Sequence, residues 1–272
     1  MNVHAKTAAP QSGSAEPLVL RRDDGGVATL TLNRPAQRNA LSIDLMTALQ
    51  AALDAVGADR SVKAVVLAAG GPGFCAGHDL KELRANPERP FYEKTFATCA
   101  RLMLTLTRLP QPVIARVHGI ATAAGCQLVA TCDLAVAVEA ARFATPGVNI
   151  GLFCSTPMVA LARNVGRKQA MEMLLTGDMI DAATAKQVGL VNRVVPADRL
   201  DAEVDALARK ITSKSPYILK IGKEAFYRQI EQPVAEAYDY AARVMTENML
   251  ARDAEEGIDA FIEKREPKWC GA

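Results

Sequence analysis

Two glycine-containing turns carry the residues whose types and spacing could do chemistry. The first turn is FCAGHDL at residues 74–80, and the second is HGIATAAGCQLVATC at residues 118–132. Each turn follows an apolar run and opens a helical pattern, and the first N–H groups of a helix have no partner inside it. Two helix starts directed at one point would stabilise a carbonyl oxygen that becomes negative during a reaction. The pair therefore predicts an oxyanion hole, with the amide of His78, which follows Gly77, as one candidate donor.

A few side chains suggest other roles. A histidine with its ordinary pKa of about 6.5 can transfer protons near neutral pH, but we interpret His78 as a solvent-facing or capping imidazole. Asp79 stands just before a helical pattern and is interpreted as its N-cap. Cys154, Ser155 and Thr156 form a polar cluster later in the chain. Because no histidine can be placed beside that cluster, we interpret it as a pocket wall rather than a nucleophilic triad.

Apolar strands must position both turns. Residues 62–68 and 112–117 are rich in β-branched residues and lead into the turns, which predicts two strands. Helical patterns follow from about residue 79 and at 124–131, and a third strand is expected at 133–138. This repeated strand–turn–helix order predicts a right-handed winding of ββα-like units.

The segments on either side have their own signals. Two apolar runs around the DDGG sequence at residues 23–26 predict a β-hairpin. Ser42 predicts the N-cap of a helix that stops at Gly57. From residue 198 to residue 264 the pattern is one helix after another.

Residues 81–100 are charged and contain two prolines, which indicates a mobile helical flap over the site. Glu82 and Glu93 lie in this flap. Acids in such a segment usually form a solvated face, so catalysis by either one is not favoured.

Composition excludes several classes of protein. Lys and Arg (32) nearly balance Asp and Glu (30) and form no basic run, so a nucleic-acid partner is not expected. The six cysteines form no CxxC pair, which argues against a metal site and against disulfides. No apolar run approaches the roughly 18 residues that cross a bilayer, so no membrane partner is expected. Because the first 17 residues lack the apolar segment of a signal peptide, we expect a cytoplasmic protein with a disordered or cloning-derived tail.

Two more motifs accompany the turns, NRP at residues 33–35 and RNALS at residues 38–42. With these motifs and their spacing, the chain resembles the crotonase (enoyl-CoA hydratase/isomerase) superfamily over nearly its whole length after about residue 15. A more specific resemblance, to the enoyl-CoA hydratase domain-containing protein 3 group, rests on residues 76–83, 121–130 and 143–149.

The resemblance implies an α/β fold, with a crotonase-like ββα spiral core and a C-terminal helical trimerisation region. We expect a disordered tail at 1–17, the spiral core at 18–200 and the helical oligomerisation region at 201–272. The implied assembly is a homotrimer or a dimer of trimers.

The resemblance also assigns the backbone amides of His78 and Ala124 to an oxyanion hole for an acyl-CoA thioester. Hydratases of the family hold a water with two glutamates, and the matching positions here are Gln127 and Gly147. A carboxamide does not titrate near neutral pH, and glycine has no side chain. Hydration is therefore expected to be weak or absent, and isomerisation, which needs the second glutamate, is weakened too. Ala124 replaces a common glycine, which narrows the backbone angles of the hole.

Coenzyme A enters this interpretation as part of the substrate, and no prosthetic group is expected. The resemblance places its contacts around the first turn and, from a neighbouring subunit, at the C-terminal end. The expected contact residues are Arg38, Ala40, Ala76, Gly77, Asp79, Leu80, Phe261 and Lys264.

The leading hypothesis is an acyl-CoA-binding, enoyl-CoA hydratase-like protein of fatty-acid or related acyl-CoA metabolism. One alternative is another thioester reaction, either hydrolysis or decarboxylation. The other is a CoA-ester-binding protein without catalysis, acting as a sensor or as a structural partner.

Overall fold

The computed structural model describes residues 16–272. Residues 1–15 of the tail predicted at 1–17 lie outside the described residues. The last two residues of that tail, Glu16 and Pro17, are described and are exposed.

Nine strands are present in the described residues. They are β1 (Val19–Asp24), β2 (Val27–Leu32), β3 (Ala64–Ala69), β4 (Val113–Val117), β5 (Ala121–Thr122), β6 (Leu134–Val138), β7 (Arg142–Ala144), β8 (Ile180–Asp181) and β9 (Arg193–Val195).

Six of these strands build the main sheet, in the order β1-β2-β3-β4-β6-β9. β1 and β2 form the predicted antiparallel hairpin, and all other neighbours in this sheet are parallel. All six residues of β3 are buried, as expected for a parallel strand that is covered on both faces. β5, β7 and β8 form a second, smaller sheet. The chain is therefore a wound α/β structure, as predicted.

Eleven α-helices are present in the same residues. They are α1 (Ile43–Ala58), α2 (Leu80–Ala85), α3 (Arg89–Arg108), α4 (Ala124–Thr131), α5 (Pro157–Asn164), α6 (Arg167–Thr176), α7 (Ala182–Gln187), α8 (Leu200–Thr212), α9 (Pro216–Gln229), α10 (Val234–Met249) and α11 (Arg252–Glu263). Short 3-10 helices cover Pro35–Gln37, Pro146–Ile150 and Ala197–Arg199.

The start of α1 was predicted correctly, and its end was not. The Ser42 hydroxyl accepts a hydrogen bond from Leu45 N at 3.2 Å, which makes Ser42 the N-cap. The helix continues through Gly57 to Ala58. A Cβ at Gly57 would lie 3.1 Å from the Leu109 side chain, so this glycine permits close packing and does not stop the helix.

The prediction of a mobile flap at residues 81–100 is wrong for most of this segment. α3 is a continuous helix of 20 residues that packs against α1, α4 and α9. Thr95, Thr98 and Cys99 are buried along its inner face. The two prolines stand before and at the start of the helix, where a missing N–H costs nothing.

α8 belongs to the core around the sheet. It packs against β3, β4 and β6, and Leu200, Val204 and Ala208 are buried in the same apolar cluster. The part of the chain that covers the sheet therefore extends beyond the division predicted at residue 200.

α9 is attached to the sheet by a buried ion pair. Lys223 Nζ donates to Asp133 Oδ2 at 2.6 Å, and the Tyr227 hydroxyl donates to Asp133 Oδ1 at 2.9 Å. The other neighbour of this carboxylate is the Val113 amide, at the start of β4. With side-chain exposures of 7% and 16%, Lys223 and Asp133 fix α9 beside β4 and β6.

The last helices leave apolar side chains exposed. The largest of these on α10, α11 and the turn between them are Val234, Tyr238, Met245, Met249, Leu250, Ile258, Phe261 and Ile262. None of the helices in residues 16–272 combines the length and the apolar character needed to cross a membrane.

Candidate functional site

The two glycine-containing turns lie against each other. Cys75 O accepts a hydrogen bond from Thr122 N at 2.9 Å, and Ala76 O accepts one from the Thr122 hydroxyl at 3.1 Å. In return, Ile120 O accepts from the amides of Phe74 and Cys75. The end of β3 and the end of β4 therefore bring both turns to one place, as the sequence predicted.

The RNALS segment supports the first turn through its backbone. Leu41 N donates to Gly77 O at 2.7 Å, and Asp79 N donates to Leu41 O at 3.1 Å. Ala76 N donates to Arg38 O at 3.1 Å. Arg38 and Ala40 thus lie beside Ala76, Gly77 and Asp79.

Two further residues position the turn, Asn39 of this segment and Arg34 of the NRP motif, and no role was predicted for either one. Asn39 is fully buried, and its Nδ2 donates to the carbonyls of Gly70 and Gly73 at 2.8 and 3.0 Å. Arg34 donates to Ala40 O at 2.7 Å and pairs with Asp79 at 3.1 Å. The available signal was a polar residue inside a motif. Asn39 bonds to a carbonyl 31 residues away in sequence and Arg34 to a carboxylate 45 residues away, so local patterns do not reveal these contacts.

Glycine is required where the turns touch. Gly77 has a φ of 94°, and a Cβ there would lie 2.9 Å from Ala123 Cβ and 3.4 Å from Ala124 N. A Cβ at Gly125 would lie 2.1 Å from Cys75 O. Side chains at either position would separate the turns, so both glycines serve close backbone contact.

Both candidate donor amides lack acceptors. Within residues 16–272, neither His78 N nor Ala124 N donates a hydrogen bond. Ala124 is the first residue of α4, whose start has no side-chain cap. The strain expected at Ala124 is found one residue earlier, because Ala123 has a φ of 49° and a ψ of −119°, a conformation that favours glycine.

The His78 side chain is not the solvent-facing or capping group that the sequence suggested. Its ring packs edge-on against Phe96 of α3, with the ring centroids 5.4 Å apart. Nε2 is buried and has no hydrogen-bond partner in the described residues. Burial lowers the pKa of His78 to about 4, so the imidazole is neutral at neutral pH.

Asp79 is the N-cap of α2, as predicted. Its Oδ1 accepts hydrogen bonds from Lys81 N and Glu82 N, and its Oδ2 pairs with Arg34. Partial burial acts to raise its pKa, but the hydrogen bond from Glu82 N and the Arg34 guanidinium hold that pKa below its ordinary value. The next residue, Leu80, is half-exposed at the start of α2.

The two acids of the predicted flap are engaged elsewhere. Glu82 Oε2 accepts a hydrogen bond from Ile43 N at the start of α1, at 3.1 Å. Glu93 forms an exposed ion pair with Arg89 one turn earlier in α3. Neither carboxylate is directed at the paired turns.

Gln127 lies at the first missing-glutamate position, on the buried side of α4. Its side chain is 5% exposed, and Oε1 accepts a weak hydrogen bond from Cys99 Sγ at 3.9 Å. Desolvation raises the pKa of the Cys99 thiol to about 12, so this neighbour is neutral as well. Gln127 also lines a cavity of about 1010 Å³ between α3, α4, α5 and α9, with Met103 and Val159 among its apolar walls.

Gly147 lies at the second missing-glutamate position, in the short helix Pro146–Ile150. Its amide donates to Cys154 Sγ at 3.3 Å. A Cβ at Gly147 would lie 2.9 Å from Leu152 O and 3.0 Å from Cys154 Sγ. Cys154 therefore fills the space beside Gly147.

Phe261 and Lys264 do not lie with the other expected CoA contacts on this chain. Both are exposed at the end of α11, which packs against α9 and α10. In the described part of the chain, no three His, Cys, Asp or Glu side chains are arranged as ligands of a metal ion.

The chain belongs to the enoyl-CoA hydratase/isomerase family, whose model matches residues 22–272. Enoyl-CoA hydratase domain-containing protein 3, mitochondrial, of Mus musculus is 44% identical over 264 residues, which cover 97% of this chain and 88% of the relative. The crystal structure of a Mycobacterium smegmatis enoyl-CoA hydratase is 58% identical, with a TM-score of 0.92 and coverage of 93% and 99% of the two chains.

The crystal structure of human enoyl-CoA hydratase domain-containing protein 3 is 45% identical, with a TM-score of 0.90. It covers 93% of this chain and 100% of that chain. These similarities confirm the crotonase-like fold and the resemblance to the domain-containing protein 3 group.

The cytoplasmic localisation predicted from the sequence is contradicted by these relatives. The mouse protein is named as mitochondrial, as are relatives from rat, frog and human. The prediction rested on the composition of the first 17 residues, which carries little information about targeting.

Proposed function

We propose that the chain binds acyl-CoA thioesters and holds the thioester oxygen with the backbone amides of His78 and Ala124. The observation that carries this proposal is the pair of joined turns, in which both amides lack acceptors within residues 16–272. Because these amides hold no hydrogen bond that must break first, they can bind an oxygen on which negative charge develops. Removing one such donor typically lowers the rate by about 10²–10³. Family membership supports the substrate class.

The CoA part of the substrate would lie along the first turn. Arg38 is exposed beside Ala76 and offers a cation for the phosphates. We assign the acyl group to the cavity next to Gln127, which has apolar walls at Met103 and Val159, although charged side chains such as Arg163 and Glu231 also line it. No prosthetic group is part of this proposal, because coenzyme A arrives and leaves with the acyl group.

A homotrimer or a dimer of trimers would complete the site. The apolar side chains exposed on α10 and α11 are suited to contact other subunits. A neighbouring subunit could then supply its own Phe261 and Lys264 to the nucleotide. This arrangement agrees with the exposure of both residues in the single chain.

Hydration by the usual pair of glutamates is weak or absent in this proposal. Gln127 cannot titrate, and Gly147 has no space for a carboxylate side chain. The absence of a carboxylate at both glutamate positions would suit a second reaction, the decarboxylation of a malonyl-type thioester. Loss of CO₂ leaves an enolate that the two amides can stabilise, and it needs no base to remove a proton.

Two measurements on the full-length chain test the proposal. We expect calorimetry to show binding of crotonyl-CoA, and a hydration assay to show slow turnover. Gln127→Glu should raise hydration by roughly 10²-fold, the contribution of one acid–base group. Gln127→Met, which also removes the carboxamide but adds no carboxylate, is the matched control and should not.

Three results would contradict the proposal. The first is the absence of acyl-CoA binding. The second is hydration by the unmodified chain at the rate of a two-glutamate enzyme. The third is an equal response to the two substitutions at Gln127. Release of CO₂ from malonyl-CoA would identify the second reaction.

A further inference from the structure

The cavity beside Gln127 has two chemically different sides. α3, α4 and α5 form an apolar side, with Met103, Ala130 and Val159 among its residues. The opposite side is α9, and none of its residues that line the cavity is aliphatic. They are separated by three or four residues along the helix and so share one face of it. These residues are Lys220, Glu224, Tyr227 and Arg228.

The lining of this cavity carries a positive charge. Four of its side chains are cations and two are carboxylates, which gives the same formal charge, +2, as the whole chain. The rest of the chain therefore has no net formal charge. The cations are Arg108, Arg163, Lys220 and Arg228, and the carboxylates are Glu224 and Glu231.

One cation and one carboxylate of the lining neutralise each other. Arg163 donates to both carboxylate oxygens of Glu231, from Nε at 2.7 Å and from Nη2 at 3.4 Å. Tyr227 is also engaged, because its hydroxyl donates to Asp133.

The other charges of the lining are not paired with each other. Within residues 16–272, the side chains of Arg108, Lys220 and Glu224 take part in no ion pair and no hydrogen bond. Arg228 stacks on the Tyr240 ring, with its guanidinium carbon 4.4 Å from the ring centroid, and it has no carboxylate partner in these residues. Three cations thus face the cavity with one carboxylate among them.

The two sides of the cavity suit a ligand that is apolar along its length and anionic at its end. Methylene groups gain free energy when they leave water for the apolar side. A methyl end would give the three cations no partner. A carboxylate end would accept charge-assisted hydrogen bonds from Lys and Arg, which are stronger than those between neutral groups.

We propose that the acyl group of the substrate ends in a carboxylate, and that Arg108, Lys220 and Arg228 bind this carboxylate. This inference rests on the proposed function, which assigns the acyl group to the cavity. The substrate class would be CoA monothioesters of dicarboxylic acids, in which the free carboxylate lies at the end of the chain remote from the thioester.

The phosphates of coenzyme A are assigned to a different cation. Arg38, which is proposed to contact them, lies beside Ala76 on the first turn. The charged cavity lies next to Gln127 of α4. A thioester held by the amides of His78 and Ala124 would stand between these two regions, with coenzyme A on one side and the acyl group on the other.

Matched pairs of thioesters test the proposal by calorimetry on the full-length chain. Hexanoyl-, octanoyl- and decanoyl-CoA are compared with adipyl-, suberyl- and sebacyl-CoA, so each pair has the same number of acyl carbons and differs at the end group. We expect the carboxylate-ended thioester to bind about tenfold more tightly at the length that reaches α9, the sum of a few partly exposed ion pairs. This preference should decrease as sodium chloride is raised from about 0.05 to 0.5 M.

Substitutions in the cavity identify the cations. Lys220→Met and Arg108→Met keep a long side chain without its charge, and each should lower the preference by about threefold. The double variant should nearly abolish it. Glu224→Gln removes a competing negative charge and should raise the preference by about twofold. Lys168→Met is the matched control, because Lys168 is an exposed cation of α6 outside the cavity, and it should change nothing.

The possible results separate this inference from the proposed function. Equal binding of the two end groups at all three lengths would overturn the inference and leave the acyl-CoA assignment intact. A preference that persists in the double variant would overturn the role of Arg108 and Lys220. Equal losses for both end groups in that variant would place these cations on coenzyme A instead. Absence of binding by every thioester would overturn both proposals.

Discussion

The starts of α2 and α4 differ in what satisfies their first N–H groups. At α2 the Asp79 carboxylate accepts from the amides of Lys81 and Glu82. At α4 the preceding residue is Ala123, whose side chain can accept nothing. The amides of Lys81 and Glu82 at the start of α2 are therefore satisfied by the cap, whereas the start of α4 has no side-chain cap. The two candidate donors therefore differ in position: Ala124 N belongs to the uncapped first residue of α4, and His78 N precedes the Asp79 cap of α2.

The turns also differ in how they obtain an unusual backbone. The first uses Gly77 at a φ of 94°, and glycine adopts such angles freely. The second uses Ala123 at a φ of 49°, which an alanine adopts only with strain. The backbone strain thus lies on the second turn, directly before Ala124.

The largest expected effect comes from separating the turns. Gly125→Ala places a methyl group where the distance to Cys75 O would be 2.1 Å. Because that oxygen is backbone, the chain must move, and we expect a loss of about 3 kcal/mol or more in the free energy of unfolding. Denaturant unfolding measures it.

Gly222→Ala is the control for that substitution. Gly222 lies inside α9 with nothing within 4 Å of its Cβ position. The same chemical change should there increase stability by about 0.5–1 kcal/mol. Equal effects at the two glycines would show that contact between the turns is not tight.

His78 on the first turn should make the free energy of unfolding depend on pH below about pH 6.5. Its pKa is lowered from 6.5 to about 4 in the folded chain, so below about pH 6.5 the unfolded chain takes up a proton that the folded chain does not. The free energy of unfolding should therefore fall as the pH drops from 6.5 to 4, by up to roughly 3 kcal/mol, and this contribution is constant above pH 6.5.

His78→Phe isolates that contribution, because all other titrating groups are shared. We expect the loss of stability between pH 7 and pH 4.5 to be smaller in the variant by about 2 kcal/mol. Denaturant unfolding at the two pH values gives the comparison. An identical loss in both proteins would show that the imidazole is not buried in solution.

The sequence predicted those features of the two turns that depend only on neighbouring residues in the chain. The Asp79 cap and the bounds of α4 follow from residue types within a few positions, and both agree with the structure. The burial of His78 does not, because it depends on α3 lying across the turn. The same is true of Asn39, which is bonded to carbonyls more than 30 residues away. Cys154 at the side of Gly147 is a third such contact, made by a loop.

A smaller effect is expected from opening the first helix start. Asp79→Ala removes two hydrogen bonds to backbone amides and the ion pair with Arg34, and it should cost about 1–2 kcal/mol of stability. Asp79→Asn keeps a capping oxygen and loses only the ion pair, so about 0.5 kcal/mol is expected. A similar cost for both variants, measured by denaturant unfolding, would assign the effect to Arg34 and not to the cap.

The smallest effect should come from relaxing the second turn. Ala123→Gly removes the Cβ that makes a φ of 49° and a ψ of −119° unfavourable. The gain in stability is offset by the greater freedom of glycine in the unfolded chain, so a net gain of about 1 kcal/mol or less is expected. If the strained alanine also fixes the direction of the Ala124 amide, the more stable variant should bind crotonyl-CoA with a smaller absorbance shift. A gain in stability with an unchanged absorbance shift would contradict this role of Ala123. The relaxed turn would then polarise the bound carbonyl as strongly as the strained one.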